Sequence, residues 1–203
     1  MEINTIFIVG IGKVSELGSL DLARKIFADN QNTLKPSIDS GNFNTSLGRY
    51  YFKKSDICEY SNLNDVEQLK QTIKKHAFTY LKTIGYSVEE FDLEVPNLWL
   101  NEMKGDSVHH PHTHYGFNLS GTYYIDVPQD SGNISFLNPI PVDPCMYAAI
   151  REHTPFNAKY CGIVPKEGDM LFWKSNLEHS VPFAIFDGVR RTIAFDVLIT
   201  PKS

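Results

Sequence analysis

Apolar positions change their spacing along this chain near Pro96, from intervals of three and four to short alternating runs. Upstream, Val66, Leu69, Ile73, Ala77, Tyr80, Leu81 and Ile84 share one helical face, with Asn64 placed to cap the start, Glu67 three residues on and Gly85 to end it. Such a stripe calls for a sheet to cover it, while Lys70, Lys74, Lys75 and Lys82 read as the solvated side. A shorter helix is predicted from Leu20 to Asn30, capped by Ser19, with Leu20, Ala23, Ile26 and Phe27 facing inward. Weak alternation marks a first strand from Ile3 to Val14 and another from Leu47 to Phe52; the polar stretch between Gln31 and Ser46 reads as irregular surface.

Downstream of Pro96 the predicted strands are Asn97 to Met103, Val108 to His114, Ser120 to Val127, Asn133 to Leu137, Cys161 to Pro165, Asp169 to Trp173, His179 to Pro182 and Arg190 to Ile199. Eight strands suit a jelly roll. The expected fold is therefore mainly β with flanking helices (α+β): a double-stranded β-helix, or jelly roll, packed on N-terminal helices. It is read as a single domain over 1–203, in which 1–96 supports a core at 97–203. Pro128 to Gly132 is a hairpin turn. The connection from Asn138 to Lys159, with prolines at 139, 141, 144 and 155, is longer than the fold needs, and a long loop at the open end is where substrate selectivity is expected.

Composition narrows the partners. A hydrophobic share of 42% with 12% aromatic residues belongs to a folded globule, and a net charge of −5 without a basic stripe argues against nucleic acid. No apolar run approaches the ~20 residues of a membrane helix. Ile6 to Ile11 is too short and too poorly flanked for a signal peptide, so a soluble, cytoplasmic protein is expected. Cys58, Cys145 and Cys161 share no CxxC spacing and are read as reduced thiols.

The chemistry concentrates in His109-His110-Pro111-His112-Thr113-His114, which holds four of the seven histidines. Imidazole is the commonest protein ligand for transition metals, and residues i and i+2 of an extended chain share a face, so His112 and His114 can grip one ion. His110 has the same parity and is an alternative first ligand, although Pro111 interrupts ideal alternation. A third ligand from a facing strand is expected at His179, and eleven residues later Arg190 is followed by Thr192 on the same side. His76 and His153 read as an ordinary helix-face and an ordinary loop histidine. Trp99 and Trp173 are candidates for pocket walls.

The order of these motifs carries a resemblance. His112-x-His114 precedes Leu119-Ser120-Gly121-Thr122-Tyr123-Tyr124-Ile125, then Ser131 to Pro139, Gly168 to Trp173, His179-Ser180-Val181-Pro182 and Arg190 to Asp196. From Trp99 to Ile199 the chain resembles the iron(II)- and 2-oxoglutarate-dependent oxygenases, in particular the small oxygenases of phage and marine bacteria related to prolyl hydroxylases. The resemblance implies Fe(II) held by His112, His114 and His179, with 2-oxoglutarate as cosubstrate and O2 as oxidant. It assigns the distal carboxylate of 2-oxoglutarate to Arg190, with Thr192 and the Tyr124 hydroxyl as neutral donors, and leaves Arg191 pointing outward. It implies hydroxylation of a C–H bond in a peptidyl proline or small molecule, with release of succinate and CO2.

The chain departs from that family at one position. Relatives usually carry His-x-Asp or His-x-Glu where this sequence has His114, so the carboxylate ligand is missing from its expected place. Asp126 is an alternative source of it. The competing account is a cupin-like module that holds a metal without oxygenase activity; a carboxylate-binding arginine beyond the last ligand would be superfluous there.

Overall fold

The computed structural model describes residues 8–36, 53–57, 63–105, 107–140, 149–154 and 156–202. In chain order the elements are β1 (Gly12–Ser15), α1 (Leu20–Asn30), β2 (Lys35–Pro36), β3 (Lys53–Asp56), α2 (Leu63–Thr83), β4 (Phe91–Lys104), β5 (His109–His112), β6 (Leu119–Asp126), β7 (Ile134–Leu137), β8 (Tyr160–Ile163), β9 (Asp169–Lys174), β10 (His179–Val181) and β11 (Val189–Pro201). They form a seven-stranded sheet ordered β1-β9-β6-β11-β4-β3-β2 and a four-stranded sheet ordered β5-β10-β7-β8. The eight strands after α2 are divided equally between the sheets, as a jelly roll requires, and the predicted fold class stands.

Strand alternation sorts the large sheet into two faces. Leu98 and Leu100 of β4, Tyr123 and Ile125 of β6, Met170 and Phe172 of β9, and Ile193, Phe195 and Val197 of β11 join one apolar cluster with Ile26 and Phe27 of α1 and Leu69, Ile73 and Leu81 of α2. The opposite face turns toward the small sheet, where Tyr124, Leu171 and Trp173 pack with Ile134, Phe136 and Leu177. Each fully buried large apolar side chain contributes about 1.5–3 kcal/mol, so the helix side dominates stability. A side chain at Gly121 would stand 2.2 Å from the Phe195 ring, so only glycine allows β6 and β11 this approach.

Several element ends differ from expectation. β1 begins at Gly12 rather than Ile3, with Ile8 to Ile11 outside the strand; residues 3–7 of that prediction, and the whole strand predicted from Leu47 to Phe52, lie outside the described residues. Ser19 occupies the N-cap position of α1 but makes no capping hydrogen bond with its side chain, because its hydroxyl meets Thr72 of α2 at 3.3 Å. Asn64 lies inside α2, which starts at Leu63. The strand expected to begin after Pro96 instead runs from Phe91 straight through that proline. Pairing with β11 slips between Asp196 and Leu198, where Asn97 and Glu94 are their partners, and this bulge is where a residue without an N–H can be accommodated.

Candidate metal centre

Three strand ends meet between the sheets. β5 and β10 pair with His112 opposite His179, and the backbone N–H of His114, two residues beyond β5, donates to Ser175 O at 2.9 Å. One ring nitrogen from each of His112, His114 and His179 lies within 4.8 Å of the other two, a spacing that can serve a single ion. Among the described residues the cluster comprises these three and neither His110 nor Asp126. Asp126 is engaged elsewhere, 3.1 Å from Arg191 and 3.7 Å from Arg24, while His110 contributes its carbonyl as an acceptor for His112.

Each ring is held through Nδ1. His112 Nδ1 donates to His110 O at 2.7 Å, His179 Nδ1 to Leu177 O at 3.0 Å, and His114 Nδ1 to Asp196 Oδ1 at 2.6 Å. Carbonyl and carboxylate oxygens only accept, so the proton sits on Nδ1 and Nε2 is the nitrogen left to present a lone pair to a metal. Burial, followed by the neighbouring His112, pushes the His179 pKa down to about 3, which keeps that imidazole in its neutral, ligating form. Three imidazole nitrogen donors fit a first-row divalent cation such as Fe(II).

The pocket beside the cluster is walled by Trp99 and Trp173 and reaches Arg190, Thr192, Tyr124 and Asn101. Arg190 is 2% exposed. Its Nη1 donates to Ser131 O at 2.9 Å, its Nη2 lies 3.5 Å from the Tyr124 hydroxyl, and its Nε has no hydrogen-bond partner. Among the described residues no carboxylate lies within ion-pair distance of it. Arg191, by contrast, faces away and is paired with Glu102 at 3.3 Å and Asp126 at 3.1 Å. Alternation along β11 therefore separates a satisfied guanidinium from one that is buried without a counter-ion. Burial also raises the Tyr124 pKa, so the phenol stays protonated and able to donate.

Three contributors were not among the sequence candidates. Asn101, opposite Thr192 in the β4–β11 register, donates to Thr192 Oγ1 at 3.4 Å and leaves its own Oδ1 buried without a partner. Ser131 acts through its carbonyl, which no side-chain pattern reveals, although the predicted turn at Pro128 to Gly132 is present with a 3.2 Å bond from Ser131 N to Pro128 O. Asp196 is 2% exposed and continues the parity of Arg190 and Thr192, the one signal by which it could have been found.

Residues 97–196 match the sequence model of the family described as "Putative 2OG-Fe(II) oxygenase". Over this stretch the chain belongs to this oxygenase family. Its reaction uses Fe(II), 2-oxoglutarate and O2, and the three imidazoles and the unpaired Arg190 are suited to the first two. No curated protein matches the sequence. Among solved structures, the oxygenase is similar to a prolyl-4-hydroxylase of Pseudomonas putida, at 12% identity and a TM-score of 0.61 over 96% of this chain and 94% of that one. It is also similar to HygX of Streptomyces hygroscopicus, solved with nickel, 2-oxoglutarate and hygromycin B, at 13% identity and a TM-score of 0.60 over 96% and 84% of the two chains. A prolyl hydroxylase of Trichoplax adhaerens, solved with a hypoxia inducible factor peptide, is 14% identical with a TM-score of 0.59 over 93% and 83%. Likenesses at this identity establish the fold of the oxygenase.

Proposed function

We propose that this oxygenase hydroxylates a C–H bond of a peptide or small molecule, with His112, His114 and His179 holding Fe(II) and with Arg190, Thr192 and Tyr124 holding 2-oxoglutarate. The observation that carries the reading is the buried, counter-ion-free Arg190 in the pocket that the three imidazoles border. An isolated buried charge is costly, and a carboxylate completing a forked pair with it would remove that cost. A metal-holding module without oxygenase activity would leave this arginine unexplained.

When bound, Fe(II) would let O2 act as the oxidant, with 2-oxoglutarate as the co-reductant that leaves as succinate and CO2. The protein's own residues do the positioning. Nδ1–H bonds orient the three imidazoles, the Arg190 guanidinium and the Tyr124 and Thr192 hydroxyls grip the far carboxylate, and Trp99 and Trp173 keep water from the site. Substrate choice is assigned to the connection from Asn138 to Lys159, of which residues 141–148 and 155 lie outside the described residues. Residues 1–96 support the 97–203 core within a single domain, a reading favoured by the apolar cluster that α1 and α2 share with the large sheet. No helix among the described residues is long and apolar enough to cross a membrane. A cytoplasmic location belongs to the same reading, since the exposed thiol of Cys161 and a ferrous cofactor suit a reducing compartment.

Anaerobic titration of the iron(II)-loaded protein with 2-oxoglutarate tests this reading. A weak visible metal-to-ligand charge-transfer band is expected in the parent and its loss in His179→Ala. Iron binding with no band in the parent would remove 2-oxoglutarate from the proposal.

A further inference from the structure

The carboxylate missing beside the metal has a counterpart one imidazole away. Asp196 sits on β11 beneath His114, 2% exposed, and its Oδ1 accepts the Nδ1–H of His114 at 2.6 Å. It also accepts from the Ser120 hydroxyl at 2.8 Å and from Asn97 Nδ2 at 3.3 Å. Ser120 is braced in turn by the Ser175 hydroxyl at 2.8 Å, and the carbonyl of that same Ser175 receives the backbone N–H of His114. Trp99 stacks on the His114 ring at 5.5 Å between centroids. The rings differ in how Nδ1 is held: His112 and His179 donate to neutral carbonyls two residues away in the chain, and among the described residues it is His114 that donates to a carboxylate, 82 residues distant.

We propose that Asp196 is a positioning residue of the metal centre, fixing His114 with Nε2 toward the ion and passing to it, through the imidazole, the negative charge that a directly bound carboxylate would otherwise supply. This rests on the proposed assignment of His112, His114 and His179 as ligands. A carboxylate accepting Nδ1–H makes the opposite nitrogen a stronger donor and forbids the tautomer that carries its proton on Nε2. Among the described residues Asp196 pairs with no lysine or arginine; the side chains that donate to it are those of Ser120, Asn97 and His114. It is therefore placed to offset the charge of an ion held at His114. The sequence departure at His114 thus moves the carboxylate outward by one residue without deleting it.

The test compares the parent with Asp196→Asn, which keeps an oxygen acceptor and similar volume but loses the charge. Two readouts are needed: Co(II) affinity by visible absorption, and the position of the charge-transfer band of the anaerobic Fe(II)–2-oxoglutarate complex. The expected result is a 10–100-fold weaker Co(II) dissociation constant, together with a band moved to shorter wavelength, because a weaker donor lowers the metal d levels from which the transition starts. The melting temperature of the metal-free variant is measured alongside. Unchanged Co(II) affinity and an unmoved band in Asp196→Asn would overturn the proposal while leaving the ligand assignment intact. Weaker affinity with an unmoved band and a lowered metal-free melting temperature would reduce Asp196 to a packing residue and overturn it too. Failure of the parent itself to bind Co(II) would instead remove the ligand assignment, and the proposal with it.

Discussion

The two faces of the large sheet are built from the same strands and do opposite work. On β11, Ile193, Phe195 and Val197 face the helices in an apolar cluster without a charge, while Arg190 and Thr192 line the pocket and Asp196 holds the His114 ring, all three of them buried. One face lowers the free energy of folding by removing apolar area from water. The other holds buried polar groups whose partners are only partly supplied by the protein, since Arg190 Nε, Asn101 Oδ1 and Trp173 Nε1 have none. A strand pays for its functional side with its apolar side, and the alternation of residues is what lets one segment carry the two.

The largest effect on this comparison is expected from Phe195→Ala on the helix side. Loss of a fully buried ring that lies 5.2 Å from Phe172 should destabilise by about 3–5 kcal/mol in urea denaturation, with iron binding retained by whatever fraction stays folded. If metal affinity of the folded fraction fell as well, the faces would not be separable.

On the pocket side the sign should reverse. Arg190→Met replaces a buried charge that has no counter-ion by an apolar side chain of similar length, so the metal-free protein should be no less stable than the parent. Affinity for 2-oxoglutarate should fall by roughly 10–150-fold, the equivalent of about 1.5–3 kcal/mol for hydrogen bonds to a charged group. A variant that is strongly destabilised while binding 2-oxoglutarate normally would show Arg190 to be a structural ion.

The smallest effect belongs to the tie between the N-terminal segment and α2. His76 Nε2 lies 2.6 Å from Glu16 Oε2, and Tyr123 on the helix-facing side of β6 donates its hydroxyl to Glu16 O. The hydrogen bond from His76 holds the Glu16 carboxyl below its ordinary pKa. A depressed carboxyl contributes stability that is present above its unfolded pKa and is lost as pH falls through the folded one. The parent should therefore exceed Glu16→Gln by at most about 1 kcal/mol near neutrality, and the gap should close below about pH 4. A gap that widened on acidification would assign the tie to another pair.

Legibility followed the range of the interactions involved. The helix stripes and alternating runs are local, and they placed α1, α2 and most strands of the core to within a few residues. Pro96 misled because a bulge depends on the partner strand, and Ser19 because Thr72 of a second helix competes for its hydroxyl. Among site residues, the histidines and Arg190 stood out because their chemistry is scarce and their order resembles a family. Asn101, Ser131 and Asp196 did not, because each acts through a neighbour that is remote in sequence, and one acts through its backbone.

By itself the sequence determined which side chains share a face, since the twofold alternation of a strand and the 3.6-residue turn of a helix are properties of the backbone. It thereby determined that His112 and His114 could point together, that Arg190 and Arg191 must point apart, and that a β core would rest on amphipathic helices. Only the tertiary structure decided which faces meet: that His179 stands opposite His112, that Asp126 is taken by Arg191, and that Asp196 closes on His114. Those contacts depend on strand register and on the slip between Asp196 and Leu198, which are fixed by long-range pairing and packing.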